Sequence, residues 1–288
     1  MDLKKISLKR IREFSRTSPI YFSMAFTLLV VLVHETFSEL NYLLIPDTIW
    51  GDILDEVVFL AWPLALVLIF GFGYIFRQKG IFATFGAALY LFLMEGSVVV
   101  FRLILLIKDP ATVWKPGLEI FVALLGWLGV GFREEILYRG VNLNAIARKY
   151  GNTTKGLWIT LLTSSVLFGA IHLSNVFHGV SFTGALMQAL SAVVGGILFG
   201  AIYLRGGNIW VLALLHALND IVPVVTSVFT DAAENLSEVQ MVSDYRLGLI
   251  QIIFLAGNLL LAAFLLRKSK RQKIFDRIEK LNSELADC

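Results

Sequence analysis

Apolar stretches of bilayer-spanning length alternate with short polar connections along most of the chain. They cover residues 20–37, 57–76, 81–107, 118–132, 157–177, 185–204, 209–229 and 247–266. A hydrocarbon core about 30 Å thick is crossed by roughly 20 apolar residues in helical form. The pattern therefore predicts an all-α, polytopic membrane helical bundle of about eight transmembrane helices. The fourth stretch is short because Arg133, Glu134 and Glu135 follow it directly. Past residue 267 the pattern changes: Ile274, Phe275, Ile278, Leu281 and Leu285 recur at helical spacing among charged residues. That spacing suits an amphipathic helix lying at the membrane interface or docking on a partner. The expected organisation is a basic arm at 1–19, a transmembrane bundle at 20–267 and an amphipathic tail at 268–288. No internal repeat, low-complexity segment or separate soluble domain is evident.

Composition supports lipid as the solvent. Of 288 residues, 57% are hydrophobic and 16% charged, with a mean hydropathy of +0.75. A soluble domain carries roughly a quarter charged residues. The net charge of +3 gives no reason to expect a nucleic-acid partner, and the lone Cys288 forms neither an internal disulfide nor a thiolate metal site.

Basic residues set the orientation, because Lys and Arg concentrate in cytoplasmic loops. Lys4, Lys5, Lys9, Arg10, Arg12 and Arg16 precede the first stretch, which reads as an uncleaved span rather than a signal peptide. With the amino terminus inside, the connections at 77–79, 139–155 and Arg205 are inside, and all are basic. Those at 44–56 and 174–184 are outside and hold no Lys or Arg, while 230–245 is acidic. Lys108 and Lys115 are the exception. An even number of spans returns the basic residues Arg267, Lys268, Lys270, Arg271 and Lys273 inside, so both termini are expected to be cytoplasmic in a multi-pass protein of the cell membrane.

Ionisable groups within spans are costly and usually functional. The fifth stretch contains His172, and the seventh contains His216 and Asp220, one helical turn apart on one face. Glu135 and Arg139 have the same spacing and can pair, whereas Glu134 points about 100° away and is free to face a cavity. Glu134 lies 17 residues before the turn at Gly151 and Asn152, and His172 lies 20 after it, which brings them to similar heights if the fourth helix runs on through Arg148. Hydropathy alone places Glu134 nearer the cytoplasmic edge; a tilted or kinked helix would reconcile the two. Each group alone also has a structural reading, as a boundary charge or an interhelical bridge. Together they supply a carboxylate able to take a proton from water and imidazoles able to steady an oxyanion or hold a metal. Asp220 is placed to orient His216 or a metal ligand.

The motifs Glu134-Glu135-x-x-x-Arg139, Phe168-x-x-x-His172 and His216-x-x-x-Asp220 resemble the three signatures of the CPBP family. That family contains the type II CAAX prenyl endopeptidases and bacteriocin-immunity proteins. The similarity covers roughly residues 118–229. It implies an intramembrane endopeptidase acting on a membrane-associated protein or peptide. Glu134 would be the base, His172, His216 and Asp220 would complete the catalytic set, and Glu135, Arg139, Phe168 and Asn219 would shape the site. Family members have been described both as metalloproteases and as metal-independent glutamate proteases. Zinc held by Glu134, His172 and His216 is therefore one expectation, although no tight H-E-x-x-H spacing is present. Asn219, beside Asp220, leaves the family's Asn-or-Asp position ambiguous.

His34, Glu35, Glu95, Arg102 and Asn258 lie outside these motifs as candidate cavity residues. Glu95 and Arg102 are expected to pair along their helix, two turns apart. The chain's compactness and lack of a targeting segment suggest a bacterial plasma membrane, with roles in bacteriocin processing, self-immunity or regulatory proteolysis. A non-catalytic membrane scaffold and a proton-coupled transporter are the alternatives; the first should lack the charged motifs, and the second usually shows inverted repeats.

Overall fold

The computed structural model describes residues 3–46, 48–231 and 249–286. Among them the chain is helical, with α1 (Leu3–Thr17), α2 (Pro19–Leu44), α3 (Ile49–Ile69), α4 (Ile81–Lys108) and α5 (Gly117–Glu135). A π-helical segment, Ile136–Leu143, leads into α6 (Asn144–Tyr150), followed by α7 (Thr154–Ile171) and a 3₁₀ segment, His172–His178. Then come α8 (Phe182–Gly206), α9 (Ile209–Phe229), α10 (Leu249–Leu265) and α11 (Lys268–Ala286). No strand occurs among the described residues; an isolated bridge joins Trp114 to Thr230.

The expected polytopic helical bundle is observed. Its outer face carries Phe82, Leu93, Phe101, Ile107 and Leu260 fully or largely exposed, as apolar side chains facing lipid would be. Five helical stretches are long and apolar enough to cross a membrane, or six if α10 and α11, bent by 70°, form one span. The difference from eight has physical causes. Helix α3 starts at Ile49 rather than 57 and so includes Asp52, Asp55 and Glu56. Helix α5 includes Glu119, Arg133, Glu134 and Glu135, and α10 has only 17 residues. The acidic 230–245 connection falls mostly outside the described residues.

Two expectations are corrected here. The fourth stretch does not end at 132: helical backbone continues from Gly117 through the π segment to Tyr150, with Ile136 and Asn144 both in the right-handed region. At 1.5 Å per residue this rod is roughly 50 Å long, and Glu134 lies near its middle. Helix α7 runs beside it from Thr154 to Ile171, and His172, its C-cap, lines the same cavity as Glu134. Glu95 and Arg102 do not pair with each other. Glu95 accepts from Asn219 Nδ2 at 3.0 Å, while Arg102 Nη1 donates to the Pro223 carbonyl at 3.1 Å; both partners are on α9.

Close approach of α5 to α9 depends on Gly131. A Cβ there would stand 2.6 Å from Ala217 N and 2.7 Å from the Ala213 carbonyl, so only glycine lets the backbones meet at this point. Gly169 does the same for α7 against α8, with the Ala189 carbonyl 2.6 Å from where a Cβ would be. The tail helix α11 packs on the base of the bundle. Ile274 and Ile278 are buried, Arg148 and Asn282 exchange hydrogen bonds of 3.1 and 2.9 Å, and Arg277 covers the Tyr203 ring at 5.6 Å.

Candidate active site

The π segment begins immediately after the two glutamates. A π turn shifts carbonyls out of the ordinary helical ladder and needs other donors to satisfy them. Ser164 Oγ donates to the Tyr138 carbonyl at 3.2 Å. The buried Asn144 Nδ2 reaches the Arg139 and Gly140 carbonyls, each at 3.0 Å, and the Tyr203 hydroxyl at 2.8 Å. Tyr203 in turn donates to Gln78 Oε1 at 2.8 Å. The wide turn is thus held by side chains from α6, α7 and α8.

The two carboxylates stand just before that turn at the end of α5, about 100° apart around the helix axis. Glu135 points into the core and is fully buried, where its Oε1 accepts from Arg139 Nη1 at 2.6 Å and from His216 Nδ1 at 2.7 Å. Such charge-assisted bonds fix orientation as well as contributing energy. The Arg139 guanidinium lies over Phe168 at 4.4 Å and Phe199 at 5.6 Å, and the His216 ring meets the same two rings edge-on at 5.9 and 5.2 Å. With Nδ1 committed, His216 turns Nε2 towards Glu134 Oε2 at 3.4 Å and Asp220 Oδ2 at 3.7 Å. His172 directs Nδ1 at the Phe168 carbonyl, 3.1 Å away, and stands edge-on to the Phe168 ring at 5.1 Å. A carbonyl only accepts, so Nδ1 carries a proton, and in the neutral form of His172 it is Nε2 that is left to accept.

A cavity of about 170 Å³ lies beside this centre, lined among others by His34, Glu35, Trp62, Arg133, Glu134 and His172. Glu134 and His172 face it, with His216 set back behind Glu134 and Asp220 next to His216. The 3₁₀ segment contributes His172, Ser174 and Asn175 to its wall. There His178 Nε2 meets Glu35 Oε2 of α2 at 3.0 Å, and Asn175 Nδ2 donates to Gln188 Oε1 of α8 at 2.6 Å.

Glu134, Glu135, Arg139, Phe168, His172, His216 and Asp220 therefore converge. Asn219 does not: its side chain turns to Glu95 on α4, which leaves Asp220 beside the imidazole. His34 and Glu35 line the cavity; Glu95 and Asn258 do not. Sequence reasoning missed Arg133, read only as a boundary charge, and Trp62, Asn144 and Tyr203, whose roles depend on tertiary neighbours. A larger cleft of about 540 Å³ between α3 and α5 is acidic, with Asp52, Asp55, Glu56 and Glu119.

Zinc sites require three protein ligands in close geometry. Among the described residues no group of three His, Cys, Asp or Glu side chains stands in a metal-holding arrangement. Glu134, His172 and His216 as placed do not form such a set.

A buried carboxylate and imidazole cluster beside a cavity in a membrane bundle has the parts of a membrane-embedded hydrolase. Residues 116–222 match the family described as Rce1-like, type II CAAX prenyl endopeptidase. The matched region runs from the start of α5 into α9 and contains all three motifs, so over this part, somewhat more than a third of its length, the chain is similar to the CAAX-type intramembrane proteases. No curated protein and no solved structure matches the chain.

Proposed function

We propose that the protein is an intramembrane endopeptidase in which Glu134 activates water against a peptide carbonyl. The observation that carries this reading is the position of His216, bonded through Nδ1 to Glu135 and facing Glu134 through Nε2. Water in the cavity gives one proton to Glu134, while the bare Nε2 of His172 accepts the other hydrogen and aims the oxygen lone pair. As hydroxide adds to the carbonyl carbon, protonated His216 donates from Nε2 to the developing negative charge. The proton taken by Glu134 passes to the amine as the C–N bond breaks. Asp220 and Glu135 hold His216 in place.

The proposed substrate is a membrane-associated protein or peptide. The cavity wall includes Val30, Val31, His34 and Glu35 of α2 and Gln188 of α8, with the 3₁₀ segment touching both helices through Glu35 and Gln188. With the amino terminus cytoplasmic, as the basic loops lead one to expect, the 3₁₀ segment faces away from the cytoplasm. The substrate enters from the cytoplasmic side or laterally from lipid. Bacteriocin processing, self-immunity and regulatory proteolysis are compatible roles, and nothing at the site demands a prenyl group on the substrate.

The test compares new protein termini in host membranes carrying the wild type, Glu134→Gln or His216→Ala. Specific termini should be present with the wild type and lost with both folded variants. An immunity phenotype that survives both changes would replace this reading with a non-catalytic scaffold. Ion flux that depends on Glu134, without cleavage, would replace it with a transporter.

A further inference from the structure

Arg133 is the group the mechanism leaves unused. It precedes Glu134 on α5, lines the cavity and is half-buried. Among the described residues its guanidinium makes no hydrogen bond and no ion pair within 4 Å, and its contact is the Phe59 ring face at 5.1 Å. The carboxylates of Glu134, Glu56, Asp55 and Asp220 act on it only at longer range. Arg139, on the same helix, is by contrast clamped on Glu135. A guanidinium inside a membrane bundle is expensive unless its donors are satisfied. Its planar fork matches a carboxylate with two parallel bonds.

A second donor is also unsatisfied. Trp62, 7% exposed on α3, lines the same cavity, and its indole Nε1 has no hydrogen-bond partner. Indole N–H is a donor only. An unpaired cationic fork and an unpaired N–H on one cavity can both be met by one acceptor, and a carboxylate suits both.

We propose that Arg133, assisted by Trp62, anchors a carboxylate of the peptide in the cavity and so favours cleavage close to that negative charge. Arg133 is a specificity-determining residue, and it acts within the peptidase reading above. The carboxylate comes from one of two sources, the peptide's free carboxyl terminus or an acidic side chain. The nearby carboxylates oppose a second negative charge, so removing Arg133 should turn preference for an acid into indifference or aversion.

The test measures binding rather than turnover, on the Glu134→Gln protein in phosphatidylcholine nanodiscs at neutral pH. The probes are acetyl-Leu-Leu as free acid, the same dipeptide as amide, and acetyl-Asp-Leu amide. One acid should bind at least about tenfold more tightly than the plain amide, the discrimination expected of a charge-assisted bond. The free-acid probe winning assigns the terminus, and the aspartyl probe winning assigns the side chain. Adding Arg133→Gln should erase the difference, Arg133→Lys should keep part of it, and Trp62→Phe should reduce it severalfold. Equal binding of acids and amide, no binding of either acid at millimolar concentration, or a preference that survives in Arg133→Gln would overturn the proposal. Should Arg133→Gln not fold, Arg133→Lys and the comparison of probes on the parent protein decide it. Because no hydrolysis is read, this result is separate from the fate of the peptidase reading, which the membrane-termini experiment decides.

Discussion

Replacing Gly131 with alanine adds one methyl group where α5 and α9 touch. The new carbon would lie 2.6 Å from Ala217 N, against about 3.4 Å for an ordinary contact, so α9 must retreat by about 0.8 Å at that point. Ala217 adjoins His216, and the shift reaches the imidazole almost undiminished. The 2.7 Å bond from His216 Nδ1 to Glu135 would open to about 3.5 Å, outside hydrogen-bonding range. Losing that alignment, with a charged acceptor, costs about 1.5–3 kcal/mol. A displacement near 1 Å at a reacting group lowers turnover on the order of 100-fold. The assay is the rate at which specific termini appear in membranes at matched expression, together with thermal denaturation of purified protein. The controls are Gly86→Ala and Gly96→Ala on α4, where an added Cβ meets nothing within 4 Å. Those should be active and as stable as the parent or slightly more, because alanine favours helix by about 1 kcal/mol. If Gly131→Ala cleaves at the parental rate with unchanged stability, the helix contact does not position His216 and the reasoning fails.

Glu135→Gln removes the carboxylate shared by Arg139 and His216, and breaking such a buried pair costs about 3 kcal/mol. It should therefore lower the denaturation midpoint clearly more than Glu134→Gln, as measured by thermal unfolding in detergent. Asn144→Ala leaves the Arg139 and Gly140 carbonyls without their side-chain donor, each buried loss costing about 1–3 kcal/mol. Hydrogen exchange should rise across 136–143 while the remote α4 stays protected. The residues as placed do not assemble a metal-binding set, so cleavage is expected to persist through exhaustive chelation. Loss of activity that zinc restores would assign a metal role instead.

Much of this arrangement was legible in residue spacing, and the failures have a common cause. The Glu135–Arg139 and His216–Asp220 proximities follow from helical period alone. Hairpin counting placed Glu134 and His172 at one depth, whereas hydropathy did not. Hydropathy treats Arg133-Glu134-Glu135 as the edge of the lipid, yet in a bundle charged groups can face protein at any depth. Asp52, Asp55 and Glu56 hid the first turns of α3 in the same way. Period also placed Glu95 and Arg102 on one face, but it cannot know that Asn219 and Pro223 of α9 lie nearer as partners. The π segment was not legible, because its shifted carbonyls are satisfied by Asn144 and Ser164, contacts that exist only after folding. Arg133 and Trp62 became notable only when their neighbours were seen not to satisfy them.

The continuous rod from Gly117 to Tyr150 sets a condition on whatever is cut. At roughly 50 Å it exceeds the thickness of the hydrocarbon slab, and Glu134 sits about halfway along it. A protein segment lying in lipid at that level ordinarily keeps each amide locked in its own helix, since lipid offers no water to replace the bond. Its backbone must therefore arrive frayed, at a chain end or beside glycine or proline, before any carbonyl can be presented.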